Sequence, residues 1–284
     1  MPRRIRTVDV FTSTPFKGNP VAVILDSEGL STEEMQAIAN WTNLSETTFV
    51  LPAVDLAADY SLRIFTPRAE LPFAGHPTIG SAHAILEAGI AAPTNGKLIQ
   101  HCAKGLIDIA VPADWRNEGL SFRLPAHTLT AAPDPDTLHR ALGATVPFVH
   151  APAIVDVGPR WVIAQYADEA TIRALTPDYP ALAAYDHTHN STGLTVFAEA
   201  GQGALVVRSF APADGINEDP VCGSGNGAVA AYRLEHGLAS KGDSYAASQG
   251  REVGRDGTVR VRYAADGIHV GGCAVTCVEG VILC

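Results

Sequence analysis

An acid, a thiol and a hydroxyl crowd into one short stretch, Glu218-Asp219-Pro220-Val221-Cys222-Gly223-Ser224-Gly225-Asn226-Gly227. The run behind it, Ala228 to Gly237, is rich in small residues and ends on a glycine, which predicts a helix with a C-terminal stop. Glycines ahead of a helix let free backbone N–H groups approach an anion, and the helix dipole adds partial positive charge there. Asp219, Cys222 and Ser224 would then stand beside an anion site. Taken alone, a Gly-Ser-Gly before a helix also describes an ordinary N-capped turn.

An internal repeat favours the functional reading. Arg63-Ile64-Phe65-Thr66-Pro67 recurs as Arg208-Ser209-Phe210-Ala211-Pro212. Phe73-Ala74-Gly75-His76 aligns with Val221-Cys222-Gly223-Ser224, and Leu86-Glu87-Ala88-Gly89 with Leu234-Glu235-His236-Gly237. The last two pairings share one offset, and a three-residue insertion accounts for the first. Strand, polar loop, glycine, helix and closing glycine thus occur twice. Two distant copies are no solenoid. They suggest two similar halves whose glycine-led helix starts could face each other.

Other chemistry-bearing residues are weaker signals. Glu46 sits where the loop Asn43-Leu44-Ser45 feeds a β-branched strand, a place where a glutamate is usually solvated. His187-Thr188-His189 could put two imidazoles on one face of a strand, but no cysteine or carboxylate pattern completes a zinc site. Gly223 to Gly227 lacks the lysine of a phosphate-binding loop and the spacing of a dinucleotide fingerprint. Cys102, Cys273 and Cys277 read as core cysteines.

Composition narrows the classes. The 284 residues can bury one large core or two ordinary ones, and the repeat favours two. A formal net charge of −10 argues against nucleic acid or an anionic membrane as the main partner. Hydrophobic content of 46% is ordinary for a soluble protein, and no apolar run is long enough to span a bilayer. Met1 to Arg6 leads directly into a strand without a signal-peptide core, and five irregularly spaced cysteines make no disulfide framework. The expected location is the cytoplasm.

The elements follow from periodicity and caps. Strands are predicted over Thr7–Phe11, Val21–Leu25, Tyr60–Phe65, Leu98–His101 and Leu106–Val111 in the first half. Ser31-Thr32-Glu33-Glu34 is a capping box for a helix through Asn40. The helix Thr78–Glu87 is small or apolar around most of its circumference, so a curved sheet should enclose it. The link falls near the polar run 114–119, dividing the chain into halves 1–118 and 119–284, with the last strand free to cross back to the first half. The second half has strands over Ser121–Leu124, Ala153–Val157, Arg160–Ala164, Gly193–Ala198 and Ala204–Phe210, and helices over 134–142 and 169–175. Short strands at Gly250–Gly254, Asp256–Val261 and Ile268–Gly272 and an apolar strand over Cys273–Leu283 complete it.

Several blocks together carry a family resemblance: Asp9-Val10-Phe11, Phe16-Lys17-Gly18-Asn19-Pro20-Val21-Ala22-Val23, Asn43 to Val50, Arg63 to Pro67 with Glu70, Gly75-His76-Pro77, and Glu218 to Gly225. The chain resembles the phenazine-biosynthesis PhzF-like proteins, within the diaminopimelate-epimerase-like fold. That resemblance implies an α+β fold of two pseudo-symmetric domains. Each is a barrel-like, mostly antiparallel sheet around a central helix, with the active site between them. It also implies a homodimer, a small carboxylate substrate, and no metal or organic cofactor.

Carried over, the resemblance makes Glu46 the general acid/base, with His76 and Asp219 as catalytic neighbours. Gly75, Gly223, Ser224 and Cys222 become substrate contacts, the two glycines through their N–H groups. The physics is consistent: an enclosed carboxylate loses hydration and its pKa rises, while helix starts stabilise developing negative charge. Relatives that racemise amino acids use one thiol from each domain, but the repeat partner of Cys222 is Ala74. The expected reaction is therefore proton transfer between carbons, like that of trans-2,3-dihydro-3-hydroxyanthranilate isomerase. The alternatives are a Cys222-dependent racemase or epimerase and a non-catalytic binding protein.

Overall fold

The computed structural model describes residues 1–284, which divide into two compact units, Met1–Arg123 with Gly271–Cys284, and Leu124–Val270. In chain order the elements of the first unit are β1 (Pro2–Val10), β2 (Asn19–Ile24), α1 (Thr32–Thr42), β3 (Thr47–Leu51), β4 (Tyr60–Phe65) and β5 (Glu70–Leu71). They continue with α2 (Gly75–Ala88), β6 (Lys97–Cys102), β7 (Gly105–Ala110), the short α3 (Trp115–Glu118) and β8 (Leu120–Arg123). Next come β9 (Thr128–Ala131), α4 (Pro135–Ala141), β10 (Ala153–Asp156), β11 (Arg160–Gln165), α5 (Glu169–Ala174) and α6 (Tyr179–His189). Then follow β12 (Gly193–Glu199), β13 (Leu205–Ala211), β14 (Ile216–Asp219), α7 (Gly223–Glu235), β15 (Ser244–Gln249), β16 (Gly257–Ala264), β17 (Gly267–Gly272) and β18 (Ala274–Leu283).

The first unit's sheet runs β18-β1-β2-β3-β4-β6-β7-β8, antiparallel except for the parallel pairs β2–β3 and β4–β6. Parallel neighbours need crossovers, and α1 and α2 supply them. The sheet wraps α2, whose residues from Gly75 to Ile85 are all buried, while Met35, Ile38 and Ala39 of α1 pack outside it on Ile24, Phe49 and Phe65. Covered on both faces, β3 reads as a continuous buried run rather than an alternating one.

The second unit repeats this order as β9-β10-β11-β12-β13-β15-β16, with β11–β12 and β13–β15 as its parallel pairs. Here α7 is the enclosed helix, and α4, α5 and α6 cover the outer face through Leu138, Ile172, Leu182 and Tyr185. The two enclosed helices end alike. Gly89 and Gly237 take positive φ (65° and 67°) and donate to Leu86 O and Leu234 O, and the residues after them, Ile90 and Leu238, donate to Ile85 O and Arg233 O. Only glycine adopts that left-handed end without a Cβ penalty. No helix is long and apolar enough to cross a membrane.

Four readings change. The helix expected from Thr78 begins at Gly75, because Pro77 fits a first helical turn, where its missing N–H has no partner to lose. His187 and His189 lie on α6, not on a strand; Asp178 caps that helix and Asn190 ends it in the left-handed region. The segment read as a strand at Gly250–Gly254 is a single 3-10 turn, Arg251–Val253, set between two glycines of positive φ. The strand β15 was not anticipated, since its serines and alanines carry little β signal.

Candidate active site

Glu46 owes its place to the end of α1. Asn43 closes that helix in the left-handed region at φ 52°, and the Thr42 and Thr47 hydroxyls hydrogen-bond at 2.7 Å across the loop between them. Glu46 thereby enters β3 with its carbonyl accepting from Ala22 N, and its side chain is only 16% exposed. His76, the second residue of α2, is 7% exposed and brings Nδ1 to 3.3 Å from Glu46 Oε2. Burial pushes the Glu46 carboxyl up to about 7, against the opposing pull of a hydrogen bond with Ser45. A carboxyl titrating there accepts and returns a proton near neutral pH.

Ahead of α2, Ala74 is extended and makes no side-chain cap. An alanine at the cap has no oxygen of its own to offer the amides of the first turn. A Cβ at Gly75 would meet the Phe122 ring at 2.6 Å, so any larger residue there would have to displace that buried ring.

In the second unit Asp219 ends β14, and its Oδ1 accepts from Val221 N at 3.0 Å, which folds the chain toward α7. Cys222 is the N-cap of α7, with Sγ accepting from Gly225 N at 3.2 Å. Its thiol is pushed well above the ordinary range by burial first and by Asp219 second. The helix start alone would favour a thiolate; burial beside a carboxylate outweighs it. Ser224 Oγ lies 3.6 Å from that sulfur and accepts from Trp161 Nε1 at 3.0 Å. Gln249 accepts from Cys222 N and donates to Asp219 O.

Thus Glu46, His76 and Gly75 belong to one local arrangement within the first unit, and Asp219, Cys222, Gly223 and Ser224 to another within the second. Sequence reasoning missed Trp161 and Gln249. Trp161 carries no local signal, and Gln249 ends the strand that escaped notice. The repeat extends to an ion pair in each unit. Arg63 grips Glu70 through two bonds of 2.7 Å, and Arg208 grips Glu218 through bonds of 2.9 and 2.8 Å.

The family model described as phenazine biosynthesis-like protein matches residues 8–280. The chain belongs to that family. A Schizosaccharomyces pombe protein called antisense-enhancing sequence 1 is 40% identical over 97% of both chains. The trans-2,3-dihydro-3-hydroxyanthranilate isomerase of Pseudomonas chlororaphis is 36% identical over 97% of this chain and 98% of its own. Among solved structures, a Bacillus anthracis phenazine biosynthesis protein of the PhzF family aligns over the full length of both chains with a TM-score of 0.86 and 25% identity. A probable proline racemase from Agrobacterium radiobacter shares the fold, with a TM-score of 0.70 at 15% identity over 99% of this chain and 93% of its own. The chain is an isomerase of α+β fold.

Proposed function

We propose that the chain moves a proton between carbons of a small carboxylate-bearing substrate, with Glu46 removing and returning that proton. The observation that carries this reading is the Glu46 carboxyl, lifted to about 7 by burial beside His76. Asp219 is assigned to tuning charge and orientation, and Gly75, Gly223, Ser224 and Cys222 to contacting substrate. The amides leading α2 and α7 suit the carboxylate and the negative charge that grows on deprotonation. The named relatives make trans-2,3-dihydro-3-hydroxyanthranilate the first compound to try.

Reaction of that compound in D2O, followed by NMR, is the test. Deuterium on the carbon skeleton of the product is expected, with part of the original hydrogen retained where a shielded acid returns its proton before exchange. Isomerisation without any solvent deuterium, and without its loss in Glu46→Gln, would remove Glu46 from the mechanism. Racemisation through Cys222 is the weaker reading, because its thiol is held protonated and Ala74 offers no second sulfur.

A further inference from the structure

We propose that Gln249 is a positioning residue, tying Asp219 and the first turn of α7 into one fixed unit; this rests on the reading of that turn as a substrate contact. Gln249 is 2% exposed at the end of β15. Its Oε1 accepts from Cys222 N at 3.2 Å and from Asn226 Nδ2 at 2.9 Å, while its Nε2 donates to Asp219 O at 2.9 Å. A backbone N–H can only donate and a carbonyl can only accept, so these partners fix which way the amide faces. Asn226 Nδ2 also donates to Cys222 O at 2.8 Å, so the N-cap residue is held through both of its backbone polar groups.

The surroundings leave the turn little freedom. A Cβ on Gly250, at φ 99°, would meet Pro220 O at 2.2 Å, and one on Gly257 would meet Val221 Cγ2 at 2.2 Å. The end of β15 and the start of β16 thus press on the turn that Gln249 spans.

The first unit has a related device. Gln100 lies on β6, which pairs in parallel with β4 as β15 does with β13. Its Nε2 donates to Thr78 Oγ1 at 3.1 Å, and its Oε1 accepts from Tyr60 OH at 3.1 Å. Thr78 is the fourth residue of α2 as Asn226 is of α7. Gln249 does one thing more. It also reaches back to the acid-bearing residue, so the Asp219 carboxylate and the α7 amides keep one mutual geometry, the preorganisation an anion contact requires.

The test uses Gln249→Leu, which keeps volume and deletes all three bonds, with Ile172→Ala as a core truncation in the same unit for comparison. Amide exchange of the peptide spanning 219–229 should be about tenfold or more faster in Gln249→Leu than in Ile172→Ala at matched overall stability, the equivalent of roughly one net hydrogen bond. Exchange no faster than in that control overturns the proposal. With trans-2,3-dihydro-3-hydroxyanthranilate as the probe, Gln249→Leu should raise KM severalfold with a smaller change in kcat, the signature of a weakened contact to the substrate carboxylate that is present before and during reaction. An equal effect in Ile172→Ala would reduce Gln249 to a packing role and also overturn it. Absence of turnover in the unsubstituted chain would instead count against the proposed substrate, and the exchange comparison would decide on Gln249 alone.

Discussion

Nδ1 of His76 stands 3.3 Å from Oε2 of Glu46, with both side chains nearly closed off from water. The pair arises from two backbone decisions far apart in sequence. A left-handed Asn43 ends α1 just before Glu46, and a glycine start to α2 places His76 one residue into the helix. A carboxyl so placed loses hydration while an imidazole stays within reach of its proton.

Replacing Glu46 by Gln keeps shape and hydrogen-bonding size but removes the base. Turnover of an accepted substrate should fall by about two to four powers of ten. Binding of a carboxylate analogue should persist, measured by calorimetry, because the proposed anion contacts are the helix amides rather than Glu46. Near-normal turnover in that variant would make Asp219 the next base to consider.

The same carboxyl should make stability depend on pH. Its folded value of about 7 exceeds its ordinary value of 4.5, so the folded state binds the proton more tightly. The contribution is fully present below about 4.5 and is lost as pH rises through 7, a swing of about 3 kcal/mol at most. Asp186, raised to about 6 by burial, adds a slope of the same sign. Urea unfolding between these limits should therefore show a shallower slope in Glu46→Gln, with the Asp186 part remaining. An unchanged slope would mean that Glu46 is better solvated than its 16% exposure indicates.

The repeated ion pairs should differ sharply in their importance. Arg208 and Glu218 are 5% and 3% exposed, and Arg208 also donates to the carbonyls of Ile172 and Leu175. Arg208→Met strands a buried carboxylate and two carbonyls, at about 3–5 kcal/mol. Arg63 and Glu70 are 28% and 35% exposed, so Arg63→Met should cost about 0–1 kcal/mol. Chemical denaturation of both variants checks the contrast; equal losses would refute it.

Much of this was legible because glycine and the polar loop residues leave local marks. The enclosed helices could be anticipated from their small residues, and the doubled pattern from Arg63 and Arg208, Gly75 and Gly223, and Gly89 and Gly237. Glu46 was not legible from its own surroundings. Only the family resemblance singled it out, since its burial depends on His76 and α2, thirty residues on. Gln249 and Trp161 were invisible for a related reason: each acts across the fold on a residue of another element, and an amide or indole at a strand position carries no periodic signal. His187 and His189 misled because an alternating polar triplet fits a strand, whereas Asp178 and Asn190 bracket a helix there.

Cys222 should prove dispensable for the chemistry. Its sulfur already has a structural task, accepting from Gly225 N as the cap of α7. A serine oxygen performs that task at least as well, since serine is among the preferred N-caps. Burial and Asp219 hold the thiol protonated, so at neutral pH it is a poor base and a poor nucleophile. Cys222→Ser should therefore keep most of the turnover and a melting temperature close to that of the unsubstituted chain. Iodoacetamide at neutral pH should label the exposed Cys284 first and leave Cys222 largely unmodified, as peptide mass spectrometry would read. Any inactivation that follows forced labelling at Cys222 should come from the bulk of the adduct filling the turn beside Ser224. A fall of a hundredfold or more in Cys222→Ser, with α7 intact by circular dichroism, would mean that sulfur takes part in the chemistry. Racemisation would then displace proton transfer through Glu46 as the leading reading.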